Sequence, residues 1–367
     1  MDLERRPRYW SLMPRTSRKQ VGIWLLVIAI IILAMVTIGG LTRLTGSGLS
    51  ITKWEPIMGV LPPLNDAQWA DAFGKYQKIP QYLLENRGMT LEAFKGIFWW
   101  EWTHRLLGRI LGVAFVAPFI WFSWTGAIRK NDWPRMLVLF LLIGLQGFIG
   151  WWMVESGLET RVSVSQYRLA IHLGTALLLL VAILWIALEY LRDLEREPRP
   201  AGRAFGFAAL IYCQMLLGAL VAGLHAGLIY NSWPDMNGHF LPEDPLFSKP
   251  WWINFFENPG LAQFDHRIGA YIVAAVAVFI YARGIKLDGY AKTTAKLVAA
   301  ITIFQVALGI VTLLLQAPEA LAAFHQVTAA TLLCAAIWHA YELRYYSATE
   351  RAHENWPQRT ASAAIRQ

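Results

Sequence analysis

Four histidines stand at matched positions in the two halves of this sequence. His104 and His266 are each followed by arginine, and His172 and His325 each open a His-x-x-Thr-Ala segment. All four fall near one end of long apolar segments, where an ionisable side chain is costly and marks a functional site. Two imidazoles from different helices of a bundle can supply the two axial ligands of a haem iron. The sequence therefore predicts two haem-binding pairs, His104 with His172 and His266 with His325.

Hydrogen bonding and zinc binding account for these histidines less well than haem does. An interhelical hydrogen bond would account for any single one of them, but two repeated pairs at one depth favour ligands of a cofactor. Zinc needs about four nitrogen, sulfur or oxygen ligands, and each half offers two histidines with no cysteine nearby. The two cysteines, Cys213 and Cys334, fall inside apolar segments, and we interpret them as small buried side chains.

One acidic residue distinguishes the halves. Glu101 lies three residues before His104, on the same helix face, whereas Gln263 stands three residues before His266. A structural role would be expected in both halves, while a reaction is needed at only one haem. Glu101 is therefore the catalytic candidate, and the C-terminal half is the candidate for a permanently bound haem.

Arginines accompany the histidines. Arg105, Arg109 and Arg267 lie beside or one turn after them. A guanidinium matches carboxylate geometry, so these three residues are candidates for contacts with haem propionates. The alternative is that they extend towards the membrane surface to keep their charge in water.

Composition places these residues in a membrane. Of 367 residues, 56% are hydrophobic and 16% are charged, and the mean hydropathy is +0.38. Soluble domains carry roughly 25% charged residues, and a spanning helix needs about 20 mostly apolar ones. A spanning backbone must satisfy its own hydrogen bonds, so the expected fold is an all-α polytopic membrane protein of eight transmembrane helices. The predicted spans are 21–41, 99–124, 136–155, 166–190, 204–230, 264–286, 294–316 and 320–343.

An internal repeat organises the spans. Gly40-Leu41-Thr42, at the end of the first span, matches Gly223-Leu224-His225 at the end of the fifth. Gln146 and Gly150 in the third span match Gln305 and Gly309 in the seventh. Four spans per half give both halves the same orientation. We expect two pseudo-symmetric four-helix bundles side by side.

The repeat also predicts where the chain divides. A long loop, residues 42–98, joins the first and second predicted spans. Within it, Asn65-Asp66-Ala67-Gln68-Trp69 predicts the start of a short helix. We expect this loop to cap the N-terminal bundle. The expected parts are a basic arm (1–20), an N-terminal bundle (21–191) that is the catalytic candidate, with its capping loop (42–98), a linker (192–203), a C-terminal bundle (204–346) for the permanently bound haem, and a tail (347–367).

Lysine and arginine are concentrated on one side of the predicted membrane. They crowd the first 20 residues, the loops after the second, fourth and sixth spans and the tail, whereas residues 231–260 contain only Lys249. Such residues stay on the cytoplasmic side, so both termini are expected there. The first span is too long for a removable signal peptide, and we expect a bacterial inner-membrane protein. The net charge of +8 suits anionic lipid, and nothing supports nucleic acid binding.

Several of these motifs resemble one known family. Gly39-Gly40-Leu41-Thr42-Arg43-Leu44-Thr45-Gly46-Ser47-Gly48-Leu49-Ser50, then Trp54-Glu55-Pro56, then Glu101-Trp102-Thr103-His104-Arg105 resemble the haem A synthases, in particular the proteobacterial and mitochondrial branch. The resemblance covers nearly the whole chain. One group of that family carries a cysteine pair in the first external loop, and this sequence has none there, so no redox disulfide is carried over.

The resemblance implies an enzyme that oxidises a methyl group of haem O to a formyl group by successive hydroxylations, giving haem A for cytochrome oxidase. It implies that His266 and His325 ligate a haem b, that His104 and His172 flank the substrate haem, and that Glu101 is the essential carboxylate. Haem O synthase, oxidase assembly factors and an electron-transfer partner are the partners it implies.

Two further functions are compatible with the residues alone. A dihaem, quinol-linked electron carrier would use the same histidine pairs, although it has little need of a one-sided acid such as Glu101. A transporter with parallel repeats would usually show helix breaks near the middle of the membrane, and these spans contain few.

Overall fold

The computed structural model describes residues 15–55, 58–159, 161–192 and 200–346. Most of the expected basic arm, most of the linker (193–199) and the tail (347–367) lie outside these residues. All the predicted spans and all the candidate site residues lie within them.

The described residues contain eight helices that are long and apolar enough to cross a membrane. No strand is present among these residues, so the all-α polytopic fold is confirmed. The spans are α1 (Arg15–Leu44), α4 (Leu91–Trp124), α5 (Trp133–Glu155), α6 (Gln166–Leu191), α7 (Gly202–Gly223), α9 (Pro259–Gly284), α10 (Gly289–Leu314) and α11 (Glu319–Arg344). The shorter helices are α2 (Asp66–Tyr76), α3 (Pro80–Leu84) and α8 (Asn254–Glu257). The side of the membrane that carries α2 and α3 is called the loop side below.

Local sequence sets where the spans that carry His104 and His266 begin. Thr90 precedes α4, and its hydroxyl accepts a hydrogen bond from the Ala93 N–H. Asn258 precedes α9, where its side chain accepts from the Gly260 and Leu261 N–H groups and Pro259 occupies the first turn. Such caps satisfy N–H groups that have no partner within the helix. Both histidine-bearing helices therefore have a fixed starting point on the loop side.

The predicted boundaries differ most from the structure at three helices. The sequence predicts a fifth span that continues to residue 230, but α7 ends at Gly223 because His225 adopts a left-handed backbone with φ of 52°. Helix α4 begins two turns earlier than residue 99, at Leu91, so the capping loop covers residues 45–90 instead of 42–98. Helix α1 begins at Arg15, which places the last residues of the expected arm in the first span.

The spans form two sets that pack side by side. Helices α1, α4, α5 and α6 contact one another, as do α7, α9, α10 and α11, and the sets meet where α1 packs on α11 and α6 on α7. Leu25, Leu180 and Leu333 belong to the apolar core and are almost fully buried. Polar contacts add to it, since the Gln326 side chain donates to the Val36 carbonyl at 3.0 Å. The two halves are therefore joined by both apolar and polar contacts.

The capping loop folds onto α4 through a second apolar cluster. Helix α2 begins at Asp66 as predicted, with the Asn65 side chain accepting from the Gln68 N–H. Trp69 and Tyr76 on this helix pack with Phe94 and Phe98 of α4. The loop is therefore a structured layer over the loop side of the N-terminal bundle.

Buried polar side chains hold the loop closed. The Gln81 amide donates to the Gly46 carbonyl at 2.9 Å and accepts from the Tyr76 hydroxyl at 3.1 Å. Asn86 donates to the same hydroxyl at 2.7 Å. Since an unpaired buried polar group costs about 1–3 kcal/mol, this network favours a single loop conformation.

Gln81→Leu is expected to loosen the capping loop without unfolding the spans, because it removes one hydrogen-bond partner each from Gly46 and Tyr76. Limited proteolysis of the protein in liposomes should show cleavage within residues 45–90 that the wild type resists. Gln77→Leu is the control, since the Gln77 amide makes only a 3.4 Å contact, with the Tyr82 hydroxyl. Equal cleavage of both variants would contradict a specific role for Gln81.

Candidate haem-binding and catalytic site

Each of the four predicted histidines packs against a glycine on another span. A Cβ added to any of these glycines would lie 2.7–3.1 Å from the imidazole Cε1 atom, closer than carbon atoms normally approach. All four histidines are neither fully buried nor exposed, so each ring keeps some accessible surface. The contacts are His104 with Gly39, His172 with Gly150, His266 with Gly218 and His325 with Gly309. These four positions are called the glycine seats below.

The seats correct the repeat alignment at one place. Sequence pairs Gly40 with Gly223, but an added Cβ would meet Gln326 at Gly40 and Gln166 at Gly223. The structurally equivalent residues are Gly39 and Gly218. Each contacts the histidine ring of the next span along the chain, His104 at Gly39 and His266 at Gly218. The sequence match was wrong by one helical turn.

His266 and His325 are brought together as predicted. Their ring centroids lie 6.4 Å apart, with the ring planes at 75°. Iron–imidazole bonds of about 2 Å on both sides would place two axial rings roughly 6 Å apart, centre to centre. The distance between these rings therefore suits two axial ligands of one iron.

His104 and His172 belong to the N-terminal bundle, on α4 and α6. The Nδ1 atoms of both, and of His325, are buried and have no hydrogen-bond partner among the described residues. Buried polar atoms usually have a partner, so these nitrogens indicate rings placed for a ligand that the protein atoms do not supply.

The donor set fits haem better than a bare metal ion. Among the described residues, no group of three or more histidine, cysteine, aspartate or glutamate side chains is placed to hold a metal. A porphyrin supplies four of the six iron ligands itself, so two imidazoles complete the set. His266 and His325 thus meet this requirement by their distance, and the N-terminal half offers two imidazoles on glycine seats of the same kind.

Glu101 is buried, with 3% of its surface exposed, and its carboxylate accepts four hydrogen bonds. Arg105 donates to one oxygen through Nε at 3.1 Å and Nη2 at 2.6 Å. The Ser50 hydroxyl and the Ile51 N–H donate to the other at 2.7 Å and 2.8 Å. The carboxylate therefore fixes the start of the capping loop one turn from His104.

Gln263 makes the corresponding connection in the other half. Its amide donates to the Ala226 and Tyr230 carbonyls at 2.9 Å and 3.2 Å, while its oxygen accepts from Arg267 at 3.2 Å. A structural role is thus present in both halves, so the inference from asymmetry was wrong on this point. The loops account for the difference in side chain: one offers donors, which suit Glu101, and the other offers carbonyl oxygens, which suit an amide.

The three candidate arginines donate to loop carbonyls on the loop side. Arg105 contacts the Lys53 and Ile51 carbonyls, and Arg109 contacts the Glu55 carbonyl. Arg267 donates to the Asp235 carbonyl at 2.7 Å, and among the described residues it makes no ion pair with a carboxylate. Its charge is thus not neutralised in the way that Glu101 neutralises Arg105.

Sequence reasoning missed the role of the seats and one glutamine. Gly218 was not singled out, and Gly39, Gly150 and Gly309 stood out only as parts of longer motifs. Gln214 stands four residues before Gly218, and its amide donates to the His266 carbonyl at 2.7 Å. A third Gln-x-x-x-Gly segment was therefore visible in the sequence, and comparing it with the two already aligned would have identified it.

The remaining histidines with described contacts and the cysteines lie away from the pairs. The His225 ring contacts Arg43 at 2.7 Å, and the His339 ring contacts the Thr294 hydroxyl at 2.9 Å. Cys213 and Cys334 lie within α7 and α11, but Cys213 is exposed and Cys334 is half-buried, so the interpretation of both as buried side chains was wrong. None of these side chains touches a glycine seat.

Comparison with known proteins shows similarity to one family over most of the chain. A family model described as cytochrome oxidase assembly protein, COX15-CtaA, matches residues 22–337. Proteins named "Heme A synthase" are similar over most of their length: that of Allorhizobium ampelinum is 48% identical over 334 residues, covering 88% of this chain and 90% of the relative. That of Rhodopseudomonas palustris (strain BisB5) is 49% identical over 338 residues, covering 89% and 91%. That of Caulobacter sp. (strain K31) is 47% identical over 337 residues, covering 90% and 98%.

Gly309→Ala is expected to lower haem retention, because the new methyl would lie 2.7 Å from His325 Cε1 and displace the ring. Purified protein should contain less haem per polypeptide than the wild type. Gly144→Ala is the control, since nothing lies within 4 Å of its added Cβ and alanine is a better helix former than glycine. Equal haem content in both variants would contradict the seat.

Proposed function

This chain belongs to the COX15-CtaA family of cytochrome oxidase assembly proteins, and we propose how it carries out the reaction of a haem A synthase. The enzyme oxidises a methyl group of haem O to a formyl group through successive hydroxylations. The proposal is best supported by the four histidines, two in each half, because each ring packs against its own glycine seat. The names of the relatives favour haem A synthesis over an electron carrier.

The C-terminal bundle is the proposed site of a permanently bound haem b, whose iron His266 and His325 would hold. The 6.4 Å ring separation supports this assignment. Helices α9 and α10 also pack closely, which closes the bundle around the pair. When bound, haem b supplies one-electron redox chemistry. Arg267, which carries a charge without a carboxylate partner among the described residues, is the proposed contact for a propionate.

The N-terminal bundle is the proposed substrate half, with His104 and His172 flanking haem O. Helices α4 and α5 pack much more loosely than α9 and α10, their counterparts in the repeat. A substrate must enter and leave, and a cofactor must stay, so the looser bundle suits the substrate. Arg105 and Arg109 lie on the loop side of this bundle and are the proposed contacts for the propionates of haem O.

Glu101 is the proposed proton acceptor of the reaction. Each oxidation of the methyl group removes electrons, which pass to the proposed electron-transfer partner, and releases protons, one of which a nearby carboxylate can accept. Its negative charge also stabilises positive charge that develops on the substrate. Arg105 and the capping loop hold the carboxylate in place through the contacts described above, so that its position does not depend on the substrate.

The protein is a multi-pass membrane protein. We place it in a bacterial inner membrane with both termini in the cytoplasm, because the basic residues gather on that side of the spans. Anionic lipid is the proposed partner of those residues. Haem O synthase, oxidase assembly factors and an electron-transfer partner are proposed from the family relationship.

Glu101→Gln is expected to reduce haem A formation roughly a hundredfold or more, the usual effect of losing an acid–base group. The haem b content should stay close to that of the wild type, since Glu101 lies in the other half. Haem A made from haem O is measured by chromatography of acid-extracted haem. Ser50→Ala is the control, because it removes one loop contact but keeps the carboxylate. Normal product from Glu101→Gln would refute the assigned role.

His325→Ala and His172→Ala are expected to affect different haems. His325→Ala should lose haem b, because one of its two axial ligands is gone, whereas His172→Ala should keep haem b and lose bound haem O. Visible absorption spectra and extracted haem identity check both outcomes. Loss of haem b from His172→Ala alone would reverse the assignment of the two halves.

A further inference from the structure

Three of the four glycine seats share a second feature. A glutamine stands four residues earlier on the same helix, which places its side chain one turn from the seat on the same face. The segments are Gln146 to Gly150, Gln214 to Gly218 and Gln305 to Gly309. At the fourth seat, Gly39, the corresponding residue is Met35.

Both glutamines of the C-terminal half contact the histidine of the facing helix. Gln214 donates to the His266 carbonyl at 2.7 Å and lies 3.0 Å from its Nδ1. Gln305 donates to the His325 carbonyl at 3.0 Å and lies 3.2 Å from its Nε2. Each glutamine therefore fixes the position of one histidine along the axis of the helix that carries its glycine seat.

In the N-terminal half only His172 has such a partner. Gln146 lies 3.3 Å from the His172 carbonyl and donates to the Thr175 hydroxyl at 2.7 Å. Its own oxygen, like those of the other two glutamines, is buried without a partner among the described residues. The glutamines are thus kept in apolar surroundings at the cost of an unpaired acceptor, which indicates that their position matters.

Met35 cannot make this contact. A thioether has no hydrogen to donate, and the Met35 methyl group points towards Gly108, 3.5 Å from where a Cβ would lie there. His104 therefore contacts its glycine seat on α1. Met35, one turn before that seat on the same helix, donates no hydrogen bond to it. The Nδ1 of His104 is also buried without a partner among the described residues.

Partners of a ligating histidine govern how firmly it binds a metal. Removing a group that holds such a histidine in place typically costs 10–100-fold in affinity. Here the hold is the hydrogen bond from the glutamine N–H to the backbone carbonyl of the histidine. A ring nitrogen that accepted the same N–H would leave the other ring nitrogen protonated and unable to bind iron. A haem whose two histidines are both held should stay in place. A haem with one histidine that lacks such a contact should dissociate faster.

We propose that Gln146, Gln214 and Gln305 are positioning residues for three axial histidines, and that Met35 makes His104 the labile ligand through which substrate haem binds and leaves. This inference rests on the proposed function, which requires one haem to stay and the other to exchange. The two haems differ in how firmly they are held because the residue four positions before the glycine seat is glutamine at three seats and Met35 at the fourth.

The first test adds the missing donor. Met35→Gln should slow the loss of haem O from loaded, purified protein to excess apomyoglobin by roughly tenfold. It should also change the electron paramagnetic resonance spectrum of the bound haem O. Met35→Leu keeps an apolar side chain of similar size and should lose haem O at the wild-type rate. Equal rates for Met35→Gln and Met35→Leu would overturn the proposal.

The second test removes an existing donor and does not depend on the first variant folding. Gln214→Met should release haem b to apomyoglobin roughly tenfold faster and shift its electron paramagnetic resonance spectrum. Gln326→Met is the matched control, because the Gln326 amide donates to the Val36 carbonyl at 3.0 Å and contacts no histidine carbonyl. Retention of haem b by Gln214→Met at the wild-type rate, with an unchanged spectrum, would also overturn the proposal.

These rates are measured without turnover, so they separate the positioning role from the proposed function. If the wild type makes no haem A from haem O, the proposed function fails, whatever the rates of haem loss. If it makes haem A but the glutamine and methionine variants release haem at wild-type rates, only the positioning role fails.

Discussion

The contact between an imidazole and a bare helix backbone determines the arrangement of this protein. Glycine in a helix costs about 1 kcal/mol relative to alanine, and an ionisable side chain inside a membrane is also costly. Both costs occur four times at equivalent places, at Gly39, Gly150, Gly218 and Gly309. The glycines let α4, α6, α9 and α11 bring a planar ring against the neighbouring span, so that two rings face the interior of each bundle.

The same seats serve two halves that differ around them. On the loop side, Glu101 receives hydrogen bonds from its loop, whereas Gln263 donates to its loop. Between the spans, α4 and α5 pack loosely while α9 and α10 pack closely. One turn below the seats, Met35 replaces the glutamine found at the other three. The two halves of the repeat can therefore bind two similar ligands with different affinity, since none of these differences alters the glycine seats themselves.

Sequence predicted what depends on composition and repetition. The eight spans follow from apolar length, and the four histidines follow from their matched positions. The end of α7 could not be predicted, because His225 takes a left-handed backbone in an otherwise apolar run. The partners of Glu101 were equally hidden, since Ser50 and Ile51 reach it only once the capping loop has folded. Gln214 was visible in the sequence, but the alignment of the first and fifth spans was one turn out of register at that point.

We propose that paired imidazoles hold iron at the same depth in both bundles. X-ray diffraction at the iron absorption edge, on crystals of the protein loaded with haem O, locates iron directly. Two anomalous peaks are expected, one between His266 and His325 and one between His104 and His172. A single peak, or a peak away from these rings, would contradict the claim.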